Sequence, residues 1–228
     1  MSSDPLFEIK IVFDNKCVEE GFLTGFGFSA LVYNRSTQDY FLFDTGGNSN
    51  ILIHNIEKFN VKIQDIKKVM ISHNHNDHAG SLKDIYKINP QMEIFVASHD
   101  LKSFQNRLPT ANVRGIVELT EIEKNIYSSG EIRTQYINEH AVFLKTQNGE
   151  IVVLVGCSHP GVEKFITKAK ELGRIKAILG GFHDFKKLSF LDDIDFIGAC
   201  HCTQRYNIIR KKFPEQFKRI CVGQTITF

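Results

Sequence analysis

The chain has 228 residues, 42% of them hydrophobic, enough to bury one continuous core, and a single domain over residues 1–228 is expected. A formal net charge of only +2, with lysines and arginines spread along the chain, creates no demand for nucleic acid, a membrane surface or a polyanionic substrate. The start lacks a basic region followed by an apolar stretch, and no apolar run approaches the roughly 18–20 residues that span a bilayer. The five cysteines, Cys17, Cys157, Cys200, Cys202 and Cys221, are too irregular for a secreted disulfide framework. The expectation is a cytoplasmic protein with reduced thiols.

Taken in chain order, residues 7–13, 28–33 and 40–43 are aromatic or β-branched runs between turn residues, and they predict a sheet with a hairpin through 34–37. Residues 49–59 carry Ile51, Leu52, Ile56 and Phe59 near helical spacing. A short apolar run, Val69-Met70-Ile71, ends at Ser72, and a helix is expected over 79–88. Residues 94–96 read as a strand, and 116–155 alternate like several antiparallel strands, including 141–146 and 151–155, which make a second sheet.

Val162, Phe165, Ile166, Ala169 and Leu172 repeat at three and four residues between Pro160 and Gly173, predicting a helix over 161–172 whose apolar stripe covers a sheet. Strands over 175–179, 196–200 and 220–222 and a basic helix over 204–213 complete the pattern. The order suits an α+β fold, a four-layer αββα sandwich of two packed sheets with helices outside. Nineteen phenylalanines and no tryptophan make Phe22, Phe26 and Phe28, around Gly25 and Gly27, either core residues or an apolar flap, with the core as the preferred reading.

The chemistry concentrates in His73-Asn74-His75-Asn76-Asp77-His78. Three histidines and an aspartate supply the nitrogen and oxygen donors that Zn²⁺, Fe²⁺ or Mn²⁺ accept at about 2.0–2.2 Å. In an extended loop His73 and His75 project to one side and grip one ion, while Asp77 and His78, beyond a bend, address a second position. A surface loop rich in His and Asn is the bland alternative. It is disfavoured by the apolar strand before the cluster and by Ala79-Gly80 after it, which let the backbone turn close to an ion.

With Ala79-Gly80, this segment resembles the H-x-H-x-D-H signature of the metallo-β-lactamase superfamily, and Asp44-Thr45-Gly46-Gly47 matches that family's upstream D-T-G turn. Further on, 156–161 (GCSHPG), 180–183 (GGFH) and 200–203 (CHCT) resemble a branch that includes dihydropterin-linked ribofuranosylaminobenzene phosphate synthases and many hydrolases. The likeness spans nearly the whole chain and implies the αββα fold independently. It also implies a downstream His, a bridging acid and a last His.

For these places the chain offers several candidates. His159 stands at a strand end and is preferred as the downstream ligand over His140, which precedes the 141–146 strand. His201 follows the 196–200 strand where the superfamily's last histidine falls. Cys157 stands about where relatives carry the bridging Asp, and is either a thiolate ligand or a small buried hydrophobe. His183 contacts metal or substrate. Cys200 and Cys202 flank His201 on alternate faces and are read as packing residues, and His54 and His99 as surface residues. Asp44, by resemblance, lies beside the histidine loop and orients a ligand imidazole through its second nitrogen.

The resemblance then implies a metal-dependent hydrolase. Two divalent ions, Zn²⁺ first with Fe²⁺ or Mn²⁺ compatible, are held by His73, His75 and His159 and by Asp77, His78 and His201, with Asp77 also the catalytic group that positions an attacking hydroxide. The expected partner is a small-molecule substrate with an ester, phosphoester, thioester or cyclic amide bond. The alternatives are a synthase joining an aromatic amine to a phosphoribosyl donor, and a binding module without turnover.

Overall fold

The computed structural model describes residues 4–228 and contains two mixed sheets. In the first, β1 (Phe7–Phe13), β2 (Ser29–Asn34) and β3 (Asp39–Phe43) form an antiparallel meander, and β4 (Ile66–Ile71), β5 (Glu93–Ala97) and β6 (Asn112–Ile116) continue it in parallel. In the second, β7 (Thr120–Glu123), β8 (Ile126–Ser128), β9 (Val142–Lys145) and β10 (Ile151–Val155) are antiparallel, and β11 (Ile175–Gly181) and β12 (Phe196–Cys200) add parallel strands. The last strand, β13 (Thr225–Thr227), returns to the first sheet and pairs with β1.

Strand alternation explains the four layers. Phe7, Ile9 and Ile11 of β1 and Val152 and Leu154 of β10 face a shared core between the sheets. Their neighbours Val12 and Phe13 turn to the opposite face of the first sheet, and Ile151, Val153 and Val155 to the opposite face of the second. A period of two with both faces apolar requires cover on both sides. The helices α1 (Ser49–Lys58), α3 (Leu82–Ile88) and α4 (Leu101–Arg107) bring Leu52, Ile56, Ile85 and Phe104 onto the outer face of the first sheet. On the second, α5 (Val162–Ala169) and α6 (Tyr206–Lys212) bring Phe165, Ile166 and Ile209. Each such fully buried side chain contributes about 1.5–3 kcal/mol, so the αββα sandwich follows from pattern and packing together.

The structure departs from the sequence reading in five places, the first being β6, a strand of the first sheet over residues 112–116 where no strand is expected. The helix expected over 79–88 is broken at Gly80-Ser81 into α2 (Asn76–Ala79) and α3. Helix α4 has no strong signal in the sequence because it is seven residues long and buries only Phe104 within its span. The closing strand is β13, a T-I-T segment on a sheet edge, whereas Ile220, Cys221 and Val222 are buried outside any strand, with Val222 forming a lone bridge to Val18. Finally, not all five thiols are free: Cys17 and Cys221, 204 residues apart, form a disulfide. Their sequence spacing carried no sign of it, because only the return of the C-terminal segment alongside residues 17–19 brings them together.

Candidate metal centre

The histidine loop leaves the end of β4 and enters α2, with His75 as the cap residue and its carbonyl accepting the amides of His78 and Ala79. This short turn lets the loop present four donors to one cleft. Its height is set by the turn after β3, where the Thr45 amide and hydroxyl both donate to the His78 carbonyl. Gly46 has φ 62°, and a Cβ there would lie 2.4 Å from the Phe13 ring; only glycine passes that point. Gly27, at φ 144°, meets the Asp77 carbonyl in the same way.

Two groups of donor atoms result, each with all its atoms within 4.8 Å of one another: His73, His75 and His159; and Asp77, His78, Cys157 and His201. The hydrogen bonds around them assign the ring protons. Asp44 accepts from the Ser72 amide at 2.6 Å, the Ser72 hydroxyl at 2.8 Å and His78 Nδ1 at 2.7 Å. Since the Ser72 proton goes to Asp44, Ser72 Oγ accepts from His73 Nδ1 at 2.9 Å, and His73 Nε2 is left as a bare lone pair.

By the same logic His78 Nε2 is bare, because its Nδ1 proton is spent on Asp44. His201 Nδ1 donates to Asn15 Oδ1 at 2.8 Å, so its Nε2 is bare as well. These lone pairs converge: His78 Nε2 lies 3.2 Å from His201 Nε2 and 3.1 Å from Cys157 Sγ, and His73 Nε2 lies 3.0 Å from His75 Nδ1. His159 Nε2 is buried with no hydrogen-bond partner at all. Bare nitrogens on the buried rings of His73, His78 and His201, gathered around a thiol and a carboxylate, are unfavourable by themselves and suit a cation of borderline softness.

The electrostatics agree. Burial, reinforced by the surrounding histidines, holds His73 well below the usual imidazole range and His159 down to about 4, so both are neutral donors at neutral pH. Burial opposes the ionisation of Asp77, but His201, whose Nε2 lies 3.2 Å from the carboxylate, and His78 outweigh it and bring the carboxyl to about 2 when those rings carry a second proton, a positive charge that a cation supplies in its place. Burial works against a charged His78 and Asp44 favours it, raising the ring, so a second proton and a cation compete for the same Nε2 lone pair. Cys157 is pushed up by its hydrogen bond to Cys202 and by burial; a neighbouring cation acts in the opposite direction.

Other candidates fall elsewhere. His140 is fully buried, with Nε2 on the Ile71 carbonyl at 2.7 Å and Nδ1 on Ser128 Oγ at 2.9 Å, so neither nitrogen is open to an ion. His183 stands beside His159, ring centroids 5.0 Å apart, outside both donor groups. Cys200 is buried in the inter-sheet core, while Cys202 sits against the Cys157 carbonyl. His54 is half-buried, with Nε2 on the Gly21 carbonyl at 3.0 Å, and His99 is exposed. Phe28 is core, but Phe26 is 67% exposed and its ring stands 5.4 Å from that of His201. The core reading of Phe26 is therefore corrected: the Gly25 and Gly27 flanks carry it out to the rim of the cleft.

Several supporting residues had no motif to announce them. Glu139 is fully buried and its carboxyl accepts the amides of Cys157, Ser158 and His159 at 2.8–2.9 Å, fixing the loop that presents two donors. Burial pushes it up to about 7 despite those three donors. Asp14 accepts the His201 amide at 2.8 Å, and Asn15 follows it to hold the ring. The available signal was slight: a carboxylate next to a strand start, and a D-N turn after β1.

Comparison with known proteins places this geometry in context. The family model of the metallo-beta-lactamase superfamily matches residues 24–174. An uncharacterized protein of Methanocaldococcus jannaschii is 29% identical over 205 residues, covering 77% of this chain and 78% of the relative. The 7,8-dihydropterin-6-methyl-4-(beta-D-ribofuranosyl)-aminobenzene-5'-phosphate synthase of the same organism is 25% identical, with 90% of each chain covered. Among solved structures, the metallo-beta-lactamase fold protein YhfI from Bacillus subtilis aligns with a TM-score of 0.68 over 96% of this chain and 99% of that one; at 13% identity this is a likeness of fold.

Proposed function

Since the chain belongs to the metallo-beta-lactamase superfamily, we propose that it is a metal-dependent hydrolase acting on a small-molecule ester, phosphoester, thioester or cyclic amide. One divalent ion is assigned to His73, His75 and His159 and a second to Asp77, His78, Cys157 and His201. The observation that carries this reading is the gathering of ring nitrogens into two adjacent donor groups, with His159 Nε2 buried and without a hydrogen-bond partner. A thiol in the second group favours Zn²⁺ or Fe²⁺ over Mn²⁺.

When bound, such ions acidify a water and polarise the oxygen of the scissile bond. The chain's own groups do the rest. Asp77, ionised at neutral pH, accepts a hydrogen bond from the attacking water and sets its approach. Asp44 and Asn15 keep the protons of His78 and His201 on Nδ1, so that Nε2 of each ring faces the cleft. Phe26 on the rim covers apolar parts of the substrate, and His183 contacts it beside His159.

A second reading, a synthase, is favoured by one finding: the 25% identity over 90% of the chain to the M. jannaschii enzyme. The two readings share the metals and differ in the reaction. The test is elemental analysis of untagged protein, comparing the native chain with Asp77→Ala and His159→Ala, followed by ester and phosphoester assays in the metal found. About two ions per chain falling towards one in each variant, with loss of hydrolysis, is the expected outcome. Metal-dependent consumption of an aromatic amine and a phosphoribosyl donor, without hydrolysis of any probe, establishes the synthase instead. Native protein that stays metal-free after incubation with Zn²⁺, Fe²⁺ or Mn²⁺ overturns both.

A further inference from the structure

Outside the two donor groups, the turn after β1, α6 and the segment after it line an open cleft of about 730 Å³. Three of its lining side chains are cations, Lys16, Arg210 and Arg219, and none is acidic. The surrounding basic stretch makes this selective. Arg205 is paired with Asp184 at 2.9 Å, Lys212 with Asp192 at 3.2 Å, and Lys218 is turned onto the Glu215 carbonyl. Arg210 and Arg219 have no acidic partner among the described residues, and Lys16 Nζ donates to the uncharged Thr203 carbonyl, at 3.3 Å.

Like charges around one cleft without an acidic partner repel one another, and an anion seated among them relieves that repulsion. Uncharged groups in the same wall define the rest of the ligand. Tyr206 offers a ring already under Lys16 Nζ, 5.4 Å from its centroid, and Gln204 and Asn207 offer amides that donate and accept. The volume suits a molecule of a few tens of heavy atoms and falls within the usual range for small-ligand pockets.

We propose that this cleft binds a phosphate monoester bearing a flat ring, with the phosphate held by Arg210, Arg219 and Lys16 and the ring placed against Tyr206. The site is independent of the hydrolytic reading, since it uses none of the donors of the metal centre. A nucleic-acid strand is the less favoured occupant: three cations around one cleft match a single phosphate group, whereas strand binding takes an extended basic groove.

The test is isothermal titration of the metal-loaded full chain with adenosine 5'-monophosphate, alongside adenosine, inorganic phosphate and a single-stranded oligonucleotide. The expected result is saturable binding of the monophosphate, weaker binding of phosphate and none of adenosine. Arg210→Ala and Arg219→Ala should each weaken the monophosphate by roughly tenfold or more, with metal content and melting temperature unchanged. Absence of monophosphate binding at millimolar concentration overturns the proposal. Binding that survives both variants but disappears on metal removal overturns it too, because the phosphate then sits on the histidine cluster. So does an oligonucleotide that binds more tightly than the monophosphate.

Discussion

Replacing Glu139 by Ala removes the acceptor for three amides at once, those of Cys157, Ser158 and His159. Leaving a buried donor unsatisfied costs about 1–3 kcal/mol. Two of these amide bonds are buried and that of His159 is partly buried, so water satisfies part of the deficit and a total of about 3–6 kcal/mol is expected. An opposing contribution comes from the carboxyl itself, which burial raises from 4.5 to about 7.

A raised folded value means that the proton-linked stability is fully present below 4.5 and lost as the pH rises through 7. The shift corresponds to about 3 kcal/mol. The gap between wild type and Glu139→Ala is therefore about 3–6 kcal/mol at pH 5 and smaller by up to about 3 kcal/mol at pH 8. Urea unfolding of the metal-stripped proteins at the two pH values measures this. Glu139→Gln, which keeps one acceptor oxygen, should recover most of the loss at pH 8. A gap that is equal at both pH values, or larger at pH 8, refutes the assignment of Glu139 as a buried, proton-holding clamp on the His159 loop.

Three further outcomes are expected. Phe26→Ala removes an exposed ring, so stability should stay within about 0.5 kcal/mol; KM for a long-chain ester should rise roughly fivefold, the equivalent of about 1 kcal/mol of apolar contact, and an unchanged KM removes Phe26 from the substrate rim. His140, fully buried and lowered to about 4 by burial, contributes stability that is present above 6.5 and lost as the pH falls towards 4. In metal-free protein the difference between wild type and His140→Gln should thus shrink by about 3 kcal/mol between pH 8 and pH 4; a difference independent of pH contradicts the neutral buried ring. Thiol titration in denaturant without reductant should find the three free cysteines, and all five after reduction, with reduction lowering stability by about 2–4 kcal/mol. Five reactive thiols before reduction would disprove the Cys17–Cys221 link.

Local pattern carried much of the architecture. Alternation in β1 and β10, the three-four spacing of α5 and the run that ends at Ser72 are properties of neighbouring residues, and a period of two with both faces apolar already calls for helices on both outer sides. The spacing of His73, His75, Asp77 and His78 likewise needs no tertiary information to read as a cation site, because one short loop presents all four.

What the sequence by itself did not determine lies wherever distant segments meet. Choosing between His140 and His159 required seeing that the Ile71 carbonyl and Ser128 already occupy both nitrogens of His140. Cys157 faces His78 while Cys200 enters the core, because Cys157 lies in the loop beyond β10 whereas Cys200 is the last residue of β12 and keeps that strand's inward alternation. Glu139, Asp14 and Asn15 act on residues 18 to 187 positions away. The Cys17–Cys221 link and the cationic cleft depend on the two ends of the chain lying side by side. Periodicity reports which face of an element is buried; only the closed sandwich decides which polar groups of remote segments share that burial and must satisfy one another.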